Sequence, residues 1–365
     1  MHINGKHYHT IWVKENDPKT IQVIDQRLLP FEFKIRDLKT IADTFIAIKD
    51  MCVRGAPLIG VTAAYGMYLG LLHLNEKDNL TTKINEFSQY LKSSRPTAVN
   101  LKFAVDLVLD KIKSAKSINE KTKVAFEIAN QLKQDEIENC KKIGKNGVRF
   151  IQEISKAKKG ETVNILTHCN AGWLACVDYG TATSPMYLAH EKGIKIHVWV
   201  DETRPRNQGA RLTAYELEQQ GIPHTVIADN TGGLLMQKGM VDMVIVGSDR
   251  TSANGDVANK IGTYLKALAA HDNNIPFYVA LPLSTIDFEM EDGIKNIPIE
   301  QRDPDEVNYV EGWNNDEITR VRITSENSPA LNYGFDVTPA KYVTALITEK
   351  GVAKANMNDI EKLNK

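Results

Sequence analysis

The sequence predicts an α/β protein in which a mostly helical N-terminal part precedes a parallel β-sheet. From Thr162 onward, short apolar runs alternate with helical periods, a pattern typical of parallel strands joined by right-handed crossovers. Residues 36–158 carry helical periods instead. The polar run from Lys156 to Glu161 separates the two patterns. We therefore predict two domains, residues 1–158 and residues 159–365.

The N-terminal part is predicted to combine a small β hairpin with five helices. The apolar runs Thr10–Val13 and Thr20–Ile24 flank a turn signal at residues 15–18. The predicted helices are Leu38–Asp50, Pro57–Leu74, Asp78–Ser93, Ala98–Ser117 and Asn119–Gln152. The longest uncharged run, Gly55 to Leu72, holds Pro57 and is flanked by Arg54. We interpret it as a buried core helix, not a membrane span.

The second part is predicted to alternate five strands with helices and to end in a further helix. The strands are Val163–Thr167, Ile196–Val200, Thr225–Ala228, Met243–Val246 and Phe277–Leu281. The helices between them are Asp178–Lys192, Gly209–Gln220, Gly232–Lys238 and Asp256–Asp272. A last helix is expected from the Thr338-Pro339 cap to Gly351. Residues 285–330 are weakly patterned and are interpreted as a long connection, with room for a lid or an interface segment.

The composition predicts a soluble globular protein that acts on small molecules. Charged residues make up 25% of the 365 residues, hydrophobic residues 42%, and the net charge is −1. No global field therefore favours nucleic acid or anionic membranes as partners. The four cysteines form no CxxC pair and no metal-ligand spacing with histidine, so we expect no metal. Few cysteines and no signal-peptide pattern favour a cytoplasmic protein.

Polar residues follow every predicted strand of the second part, which indicates a site at one edge of the sheet. The five strand ends are His168-Cys169-Asn170, Asp201-Glu202-Thr203-Arg204, Asp229-Asn230-Thr231, Gly247-Ser248-Asp249-Arg250 and Pro282-Leu283-Ser284. Open α/β sheets bind ligands outside the carboxyl ends of their strands, at a topological switch point. The strand ends therefore predict where a site lies but not which reaction it catalyses.

Two candidate catalytic groups lie at these strand ends. Cys169 precedes a helix start expected near Gly172, where a helix N-terminus would lower its thiol pKa; the alternative is an inert buried cysteine. His168 is expected to face the other way, which disfavours a Cys–His dyad. Asp249 is either a general acid or base, which would need a pKa raised by an apolar pocket, or a structural cap.

Three arrangements could bind a phosphate group. Arg54-Gly55-Ala56-Pro57 places a guanidinium at an expected helix start, where free backbone N–H groups also favour an anion. Arg95-Pro96-Thr97 is expected to repeat this arrangement, and Asn259-Lys260 to do so in the second part. Each has an ordinary helix cap as its alternative. Because the sequence lacks GxxxxGK[ST] and a GxGxxG after a strand, a nucleotide site is disfavoured.

These residues resemble the methylthioribose-1-phosphate isomerase family of methionine salvage. The matching segments run in family order along nearly the whole chain: Asp25 to Pro30, Arg54 to Pro57, Arg95 to Asn100, Thr167 to Gly172, Asp201 to Pro205, Gln208 to Thr213, Gly247 to Tyr264 and Phe335 to Pro339. The resemblance implies a smaller helical N-terminal domain, a Rossmann-like C-terminal domain and a homodimer. It implies that a small sugar phosphate is isomerised without a cofactor or metal.

The resemblance also implies roles for individual residues. The family's catalytic pair falls on Cys169 and Asp249. Its substrate-binding residues fall on Arg54, Gly55, Ala56, Arg95, Gln208, Asn259 and Lys260. Related branches act on 5-deoxyribose 1-phosphate or ribose 1,5-bisphosphate, or serve as non-catalytic regulatory subunits of the initiation-factor-2B exchange complex, and these remain the alternatives.

Three departures from the family pattern bear on the substrate. Arg206 and Asn207 stand where two leucines are common, Trp173 stands where a small residue is usual, and Asn332-Tyr333-Gly334 replaces Asn-Pro-Ala. A cation at Arg206 would suit a second phosphate on the sugar. The alternative is that Arg206 points to solvent or pairs with Asp201 or Glu202, which would leave an apolar wall for a methylthio group. We favour this alternative.

Overall fold

The computed structural model describes residues 1–96 and 98–364, so Thr97 of the predicted Arg95-Pro96-Thr97 arrangement lies outside the described residues. The N-terminal part contains β1 (His2–Ile3), β2 (Lys6–His7), β3 (Ile11–Lys14), β4 (Asp17–Ile24), β5 (Ile35–Leu38), α1 (Ile41–Lys49), α2 (Ala56–Leu71), α3 (Leu80–Ser94), α4 (Val99–Ile112) and α5 (Ile118–Ala157). The predicted hairpin is confirmed as β3 and β4, and β5 adds a third antiparallel strand.

The second part continues with β6 (Val163–Thr167), α6 (Ser184–Glu191), β7 (Ile196–Asp201), α7 (Ala214–Gln219), β8 (His224–Ile227), α8 (Thr231–Gln237), β9 (Met243–Val246), β10 (Arg250–Ser252), β11 (Val257–Lys260), α9 (Thr263–Asp272), β12 (Phe277–Ala280), β13 (Ile286–Asp287), α10 (Gly293–Asn296), α11 (Asp305–Asn308), β14 (Tyr309–Asn314), β15 (Glu317–Arg322), β16 (Phe335–Thr338), β17 (Ala345–Thr348), β18 (Gly351–Ala353) and α12 (Met357–Leu363). A π-helical turn over Gly209–Thr213 leads into α7.

The central sheet has seven strands in the order β18-β17-β12-β9-β6-β7-β8, and only β18 runs antiparallel to its neighbour. Without β18, this is the strand order of doubly wound dinucleotide-binding folds, in which the chain reverses direction across the sheet between the first and fourth strands. Here those strands are β6 and β9. The predicted parallel sheet is confirmed, and its switch point lies between β6 and β9.

A second sheet changes the predicted loop after β9. The expected helix over residues 256–272 is wrong in its first part, because Val257–Lys260 form β11 of the four-stranded sheet β13-β10-β11-β16. All four residues of β11 are buried, and β11 pairs with β16 and β10. Helix α9 begins only at Thr263, after Gly262 takes a left-handed φ of 102°.

The helix expected from Thr338 to Gly351 is also wrong. Thr338 ends β16, a short 3₁₀ turn covers Ala340–Tyr342, and Ala345–Thr348 form the buried strand β17 beside β12. The Thr-Pro pair therefore ends a strand and does not cap a helix. The weakly patterned connection contains the exposed hairpin β14–β15.

Helix α2 is the centre of the N-terminal core and brings Arg54 to the sheet edge. Fifteen of its 16 residues are buried, as expected for a core helix. Among the described residues, no helix is long and apolar enough to cross a membrane. Gly55 precedes α2 with φ 90°, and a Cβ there would come within 2.3 Å of the Ala175 carbonyl oxygen. This glycine lets the start of α2 lie directly against the loop after β6.

The two parts of the chain share packing. Ile24 and Leu29 of the N-terminal part are fully buried in the same cluster as Val163 and Ile165 of β6. Helix α5 ends at Ala157, one residue before the predicted boundary. The division into domains 1–158 and 159–365 stays a prediction.

Candidate active site

Cys169 and Asp249 face one pocket at the switch point. Cys169 follows β6 and Asp249 follows β9. Because these two strands are parallel neighbours in the sheet, both residues lie at the same sheet edge. The pocket between them is also lined by Arg54, Gly55, Ala56, Asn170, Cys176, Ser248 and Asn259. The structure therefore brings together residues predicted from four separate segments of the sequence.

The backbone at Cys169 is held in an unusual conformation. Cys169 has φ 65°, in the left-handed region. Its N–H donates to Thr203 Oγ1 at 2.8 Å, and its carbonyl accepts from Thr213 Oγ1 at 2.7 Å. Non-glycine residues in this region cost free energy and persist where surrounding contacts hold them. Two threonine side chains supply those contacts and fix the position of the thiol.

Burial raises the pKa of the Cys169 thiol, although the charges of Arg54 and Lys260 act in the opposite direction. The expectation of a pKa lowered by a helix N-terminus is therefore wrong. Only a short 3₁₀ turn, Trp173–Ala175, follows Gly172, so the helix N-terminus expected at that position is absent.

His168 turns away from Cys169, as expected from the alternation of a strand. Its Nδ1 lies 2.8 Å from Asp201 Oδ2 and its Nε2 lies 2.8 Å from the Ile261 carbonyl oxygen. Asp201 and Asp229 could complete a metal site with this ring. However, Lys266 Nζ already lies 3.4 Å from Asp201 Oδ2 and neutralises that carboxylate. The arrangement is a buried ion network beneath the pocket.

Asp249 has the raised pKa that a general acid needs. Burial raises the pKa of its carboxyl, and the charges of Lys260, Arg54 and Arg95 only partly offset this effect. The nearby cations also leave the ionised form accessible after the proton has been given away. The side chain is thus suited to donate a proton and take one back.

Arg54 and the first residues of α2 bring a guanidinium and a helix N-terminus together at the pocket. Arg54 Nη1 donates to Asn170 Oδ1 at 2.5 Å, and Nη2 donates to the Asn170 carbonyl oxygen at 2.9 Å. Gly55 and Ala56 lie at the start of a 16-residue helix, where the backbone N–H groups and the helix dipole favour a phosphate. The predicted arrangement of a guanidinium at a helix start is found here.

Asn259 and Lys260 reach the site from strand β11, which corrects the expected helix N-terminus. Asn259 Nδ2 donates to Thr263 Oγ1 at 3.0 Å. Lys260 Nζ donates to the Gly334 carbonyl oxygen at 2.9 Å and lies 4.6 Å from the centre of the Phe335 ring. Burial lowers the pKa of Lys260, and the nearby Cys169 and Asp249 oppose that shift.

Arg95 and Gln208 occupy neighbouring pockets. Arg95 follows the end of α3, which corrects its expected place at a helix start, and it shares a pocket with Asp249, Gly55 and Ala56. Its Nη2 lies 3.5 Å from Glu300 Oε2. Gln208 shares a different pocket with Arg54, and its buried Oε1 has no hydrogen-bond partner in the part of the chain that the structure describes.

Glu216 is a supporting residue that the sequence analysis missed. It is fully buried, and burial raises its pKa, while its carboxylate accepts four hydrogen bonds. Oε1 accepts from Asn170 Nδ2 and the Leu174 N–H, both at 2.9 Å, and Oε2 accepts from the Trp173 N–H at 3.1 Å and the Tyr187 hydroxyl at 2.8 Å. Glu216 thereby orients Asn170, which in turn holds Arg54.

The departures at Arg206 and Trp173 have structural explanations. Arg206 Nη1 forms an ion pair with Glu306 Oε1 at 2.9 Å, and not with Asp201 or Glu202. Burial alone would raise the pKa of Glu306, but hydrogen bonds from Arg302 and Arg206 lower it to about 2. Trp173 is fully buried in the core cluster and does not line the pocket.

A pocket with an acid, a thiol and several cations at the switch point of a Rossmann-like sheet defines a site for acid–base chemistry on a small anionic molecule. The chain belongs to the Initiation factor 2 subunit family, whose model matches residues 52–355. Over 363 residues it is 56% identical to a methylthioribose-1-phosphate isomerase from Desulfatibacillum aliphaticivorans, covering 100% of this chain and 98% of that protein.

Solved structures are similar over the same length. The 5-methylthioribose 1-phosphate isomerase from Pyrococcus horikoshii OT3 superposes with a TM-score of 0.84 at 38% identity, covering 98% of this chain and 96% of that one. The translation initiation factor eIF-2B, subunit delta, from A. fulgidus superposes with a TM-score of 0.80 at 36% identity, covering 98% and 100%. The predicted resemblance and the Rossmann-like α/β class are confirmed.

Proposed function

We propose that this chain is an aldose–ketose isomerase that converts 5-methylthioribose 1-phosphate to 5-methylthioribulose 1-phosphate. The observation that carries the proposal is the placement of a raised-pKa carboxyl, Asp249, and a thiol, Cys169, on either side of one pocket with a phosphate-binding helix start. The full-length similarity to proteins named for this reaction supports the same substrate.

The first requirement of the reaction is ring opening. The phosphate at C1 blocks spontaneous opening to a free aldehyde, so the ring oxygen must gain a proton while the C1–O4 bond breaks. Protonated Asp249 supplies this proton and becomes a carboxylate. Lys260, Arg54 and Arg95 stabilise the negative charge that then remains on Asp249.

The second requirement is the transfer of hydrogen from C2 to C1. In a hydride route, the C2 hydrogen moves to C1 with its electron pair while the C2 hydroxyl proton returns to the Asp249 carboxylate, so the acid is regenerated. In an enediolate route, a Cys169 thiolate takes the C2 proton and later returns it to C1. Because burial raises the pKa of Cys169, a standing thiolate is disfavoured, and we propose the hydride route. Neither route needs an external redox cofactor, since the hydrogen stays on the substrate or on an enzyme side chain.

The substrate phosphate is assigned to the cationic side of the pocket. Arg54 and the N–H groups of Gly55 and Ala56 form its principal site, with Asn259 and Lys260 on β11 and Arg95 as further contacts. We assign Gln208 to a sugar hydroxyl, because it lines a pocket together with Arg54 and its buried Oε1 has no hydrogen-bond partner among the described residues. These roles are proposals for each residue.

The methylthio group is favoured over a second phosphate as the substituent at C5. Arg206 is the departure that could have favoured a bisphosphate, but Glu306 already neutralises it. Arg206 is also partly exposed to solvent, so a cation that is already paired there gains little from a further anion. The isomerases of 5-deoxyribose 1-phosphate and ribose 1,5-bisphosphate remain the second choice.

A non-catalytic regulatory role is the competing candidate, because a translation initiation factor subunit is structurally similar. A regulatory subunit has no need for a raised-pKa acid beside a thiol and a phosphate site. We also propose that the chain is a cytoplasmic homodimer; its four cysteines are free, as expected in a reducing compartment. Light scattering on the purified protein tests the dimer.

The proposed function is tested by incubating the purified protein with 5-methylthioribose 1-phosphate, 5-deoxyribose 1-phosphate and ribose 1,5-bisphosphate in parallel. Phosphorus NMR distinguishes the aldose from the ketose 1-phosphate. We expect the highest kcat/KM for the methylthio sugar. Turnover of none of the three would contradict the enzyme proposal and favour the regulatory alternative.

A further inference from the structure

Three metal-ligating side chains meet outside the active site, where the N-terminal segment crosses the loop after β6. They are His7, His9 and Asp178, and one ligand atom from each lies within 4.8 Å of the other two. His7 Nε2 lies 3.1 Å and His9 Nε2 lies 3.6 Å from the same oxygen, Asp178 Oδ2. No role in the proposed reaction uses these residues.

We propose that His7, His9 and Asp178 form a zinc site that fastens the N-terminal segment to the wall of the active-site pocket. Two imidazoles and one carboxylate are the ligand set of many zinc sites that keep a fourth position for water. With metal–ligand bonds of about 2.0–2.1 Å, tetrahedral ligand atoms lie about 3.3 Å apart. Both distances to Asp178 Oδ2 lie close to that separation.

Hydrogen bonds hold the Asp178 carboxylate in an orientation suited to binding a metal ion. Asp178 is buried, and its Oδ1 accepts from the Met1 amino group at 2.5 Å and from the Tyr179 N–H at 3.0 Å. Oδ2 is thereby left facing the two imidazoles. Hydrogen bonds to the second oxygen of a ligating carboxylate fix its direction and support metal binding.

The two histidines come from one short segment, and their spacing places both rings on the same side of it. They are two residues apart, which in extended chain puts side chains on one face. Their ring centres lie 5.0 Å apart at an angle of 82°. His7 is half-exposed, so a metal ion can enter from solvent, while His9 is more buried.

The surrounding charges limit affinity without blocking the site. Lys133 acts on His9 and Lys141 acts on Asp178 through their positive charges. The other cluster with a suitable ligand set, His168 with Asp201 and Asp229, holds the Lys266 ammonium against Asp201. Asp178 is also paired with an ammonium, that of Met1, but this contact is made through the opposite oxygen, Oδ1, at 2.5 Å. Lys266, in contrast, lies against the same Asp201 oxygen that faces His168. Within residues 1–96 and 98–364 no ammonium is hydrogen-bonded to Asp178 Oδ2, so this oxygen is the better place for a divalent cation.

Hydrogen bonds of Thr10 connect the proposed zinc site to the wall of the active-site pocket. Thr10 follows His9, and its Oγ1 donates to the Cys176 carbonyl oxygen at 2.5 Å, while its N–H donates to the Val177 carbonyl oxygen at 3.1 Å. Cys176 lines the pocket of Cys169 and Asp249. A zinc ion would therefore join the segment at residues 7–10 to the pocket wall, and it would stabilise the folded state because the unfolded chain lacks the arranged ligands.

The test is zinc binding by an untagged protein in a buffer that does not coordinate metal, measured by equilibrium dialysis. The Cys169→Ser background removes binding at the active-site thiol. We expect one Zn²⁺ per chain, and loss of at least 10-fold in affinity in His7→Gln and in His9→Gln. His2→Gln is the matched control, because His2 packs against the His7 ring without belonging to the cluster. Lys133→Met should bind zinc more tightly.

Two further readouts complete the test. Zinc should raise the melting temperature of the parent protein but not that of His7→Gln, whose side chain is exposed enough that the variant should fold. X-ray absorption at the zinc edge should show nitrogen and oxygen ligands. Equal zinc affinity in the parent, His7→Gln and His9→Gln would overturn the proposal. So would the absence of bound zinc in the parent, or sulfur ligands at about 2.3 Å.

Discussion

Replacing Glu216 tests whether the buried carboxylate beneath the pocket positions Arg54. In Glu216→Gln the amide oxygen can keep the bonds from Asn170 and Leu174, but the amide nitrogen then meets the Trp173 N–H, another donor. The Tyr187 hydroxyl can rotate and accept a hydrogen bond from the new amide nitrogen. The Trp173 N–H cannot, so this buried donor is left without a partner. Such a group costs about 1–3 kcal/mol, and we expect the free energy of unfolding to fall by that amount.

Glu216→Ala releases all four donors, including Asn170. Asn170 then loses one of the two acceptors that hold its amide, and Arg54 loses a fixed partner. Because small misplacements of binding groups are costly, we expect KM to rise on the order of 10-fold or more in this variant. Glu216→Gln keeps the bond to Asn170, so its KM should stay within a few-fold of wild type.

The assay pairs denaturant unfolding, followed by circular dichroism, with steady-state kinetics on 5-methylthioribose 1-phosphate. Glu218→Gln is the matched control, since Glu218 is exposed on the same helix, α7. If Glu216→Gln is as stable as this control, the hydrogen-bond argument is wrong. If Glu216→Ala folds and keeps the wild-type KM, the positioning role is wrong.

Three further predictions follow from the site and its surroundings. Arg206→Leu should leave kcat/KM for the methylthio sugar within a few-fold of wild type, because Arg302 still binds Glu306; a preference for ribose 1,5-bisphosphate that collapses in this variant would contradict our substrate assignment. With deuterium at C2 and reaction in ordinary water, the hydride route predicts deuterium at C1 of the ketose, whereas loss of the label to solvent would indicate an enediolate. Burial raises the pKa of Glu136 to about 8, above its unfolded value, so the unfolded chain loses this proton first. The contribution of Glu136 to stability therefore falls as the pH rises from the unfolded pKa up to about 8. Glu136→Gln should therefore gain stability over wild type at pH 9 and show the smallest difference near pH 4, and an equal difference at both pH values would show that the group is not perturbed.

The sheet and its site could be predicted because their signals are local. Each buried strand is a short apolar run, and each is followed by polar residues such as His168-Cys169-Asn170. The parallel order then brings the ends of β6 and β9 together without further information. Cys169 and Asp249 could be placed in one pocket on this ground.

The errors arose where tertiary pairing overrides local pattern. Val257–Lys260 carries polar residues that look like a helix start, but β10 and β16 pair with it on both sides and make it a strand. The Thr338-Pro339 pair resembles a helix cap, but the following Ala345–Thr348 segment pairs with β12 and forms a strand of the main sheet. The lowered pKa expected for Cys169 assumed that a helix follows Gly172. The sequence does not distinguish a helix from the 3₁₀ turn that is found there.

Supporting residues had no sequence signal at all. Glu216 lies in a helical stretch with other charged residues, and nothing local distinguishes it from the exposed Glu218. The ion pair of Arg206 with Glu306 joins residues 100 positions apart. Both are consequences of packing between elements that are distant in sequence.

The most direct test of the isomerase account is the rate of ketose formation from 5-methylthioribose 1-phosphate by the wild-type protein, Cys169→Ser and Asp249→Asn at saturating substrate. Both variants exchange nearly isosteric side chains, and circular dichroism and light scattering establish that they fold and assemble as the wild type does. We expect kcat to fall by about 10² or more in Asp249→Asn, the scale of a lost acid–base group. We expect a similar fall in Cys169→Ser, because in the hydride route we assign Cys169 to stabilising the transition state and not to proton removal. A folded Asp249→Asn variant with near wild-type kcat would contradict the account.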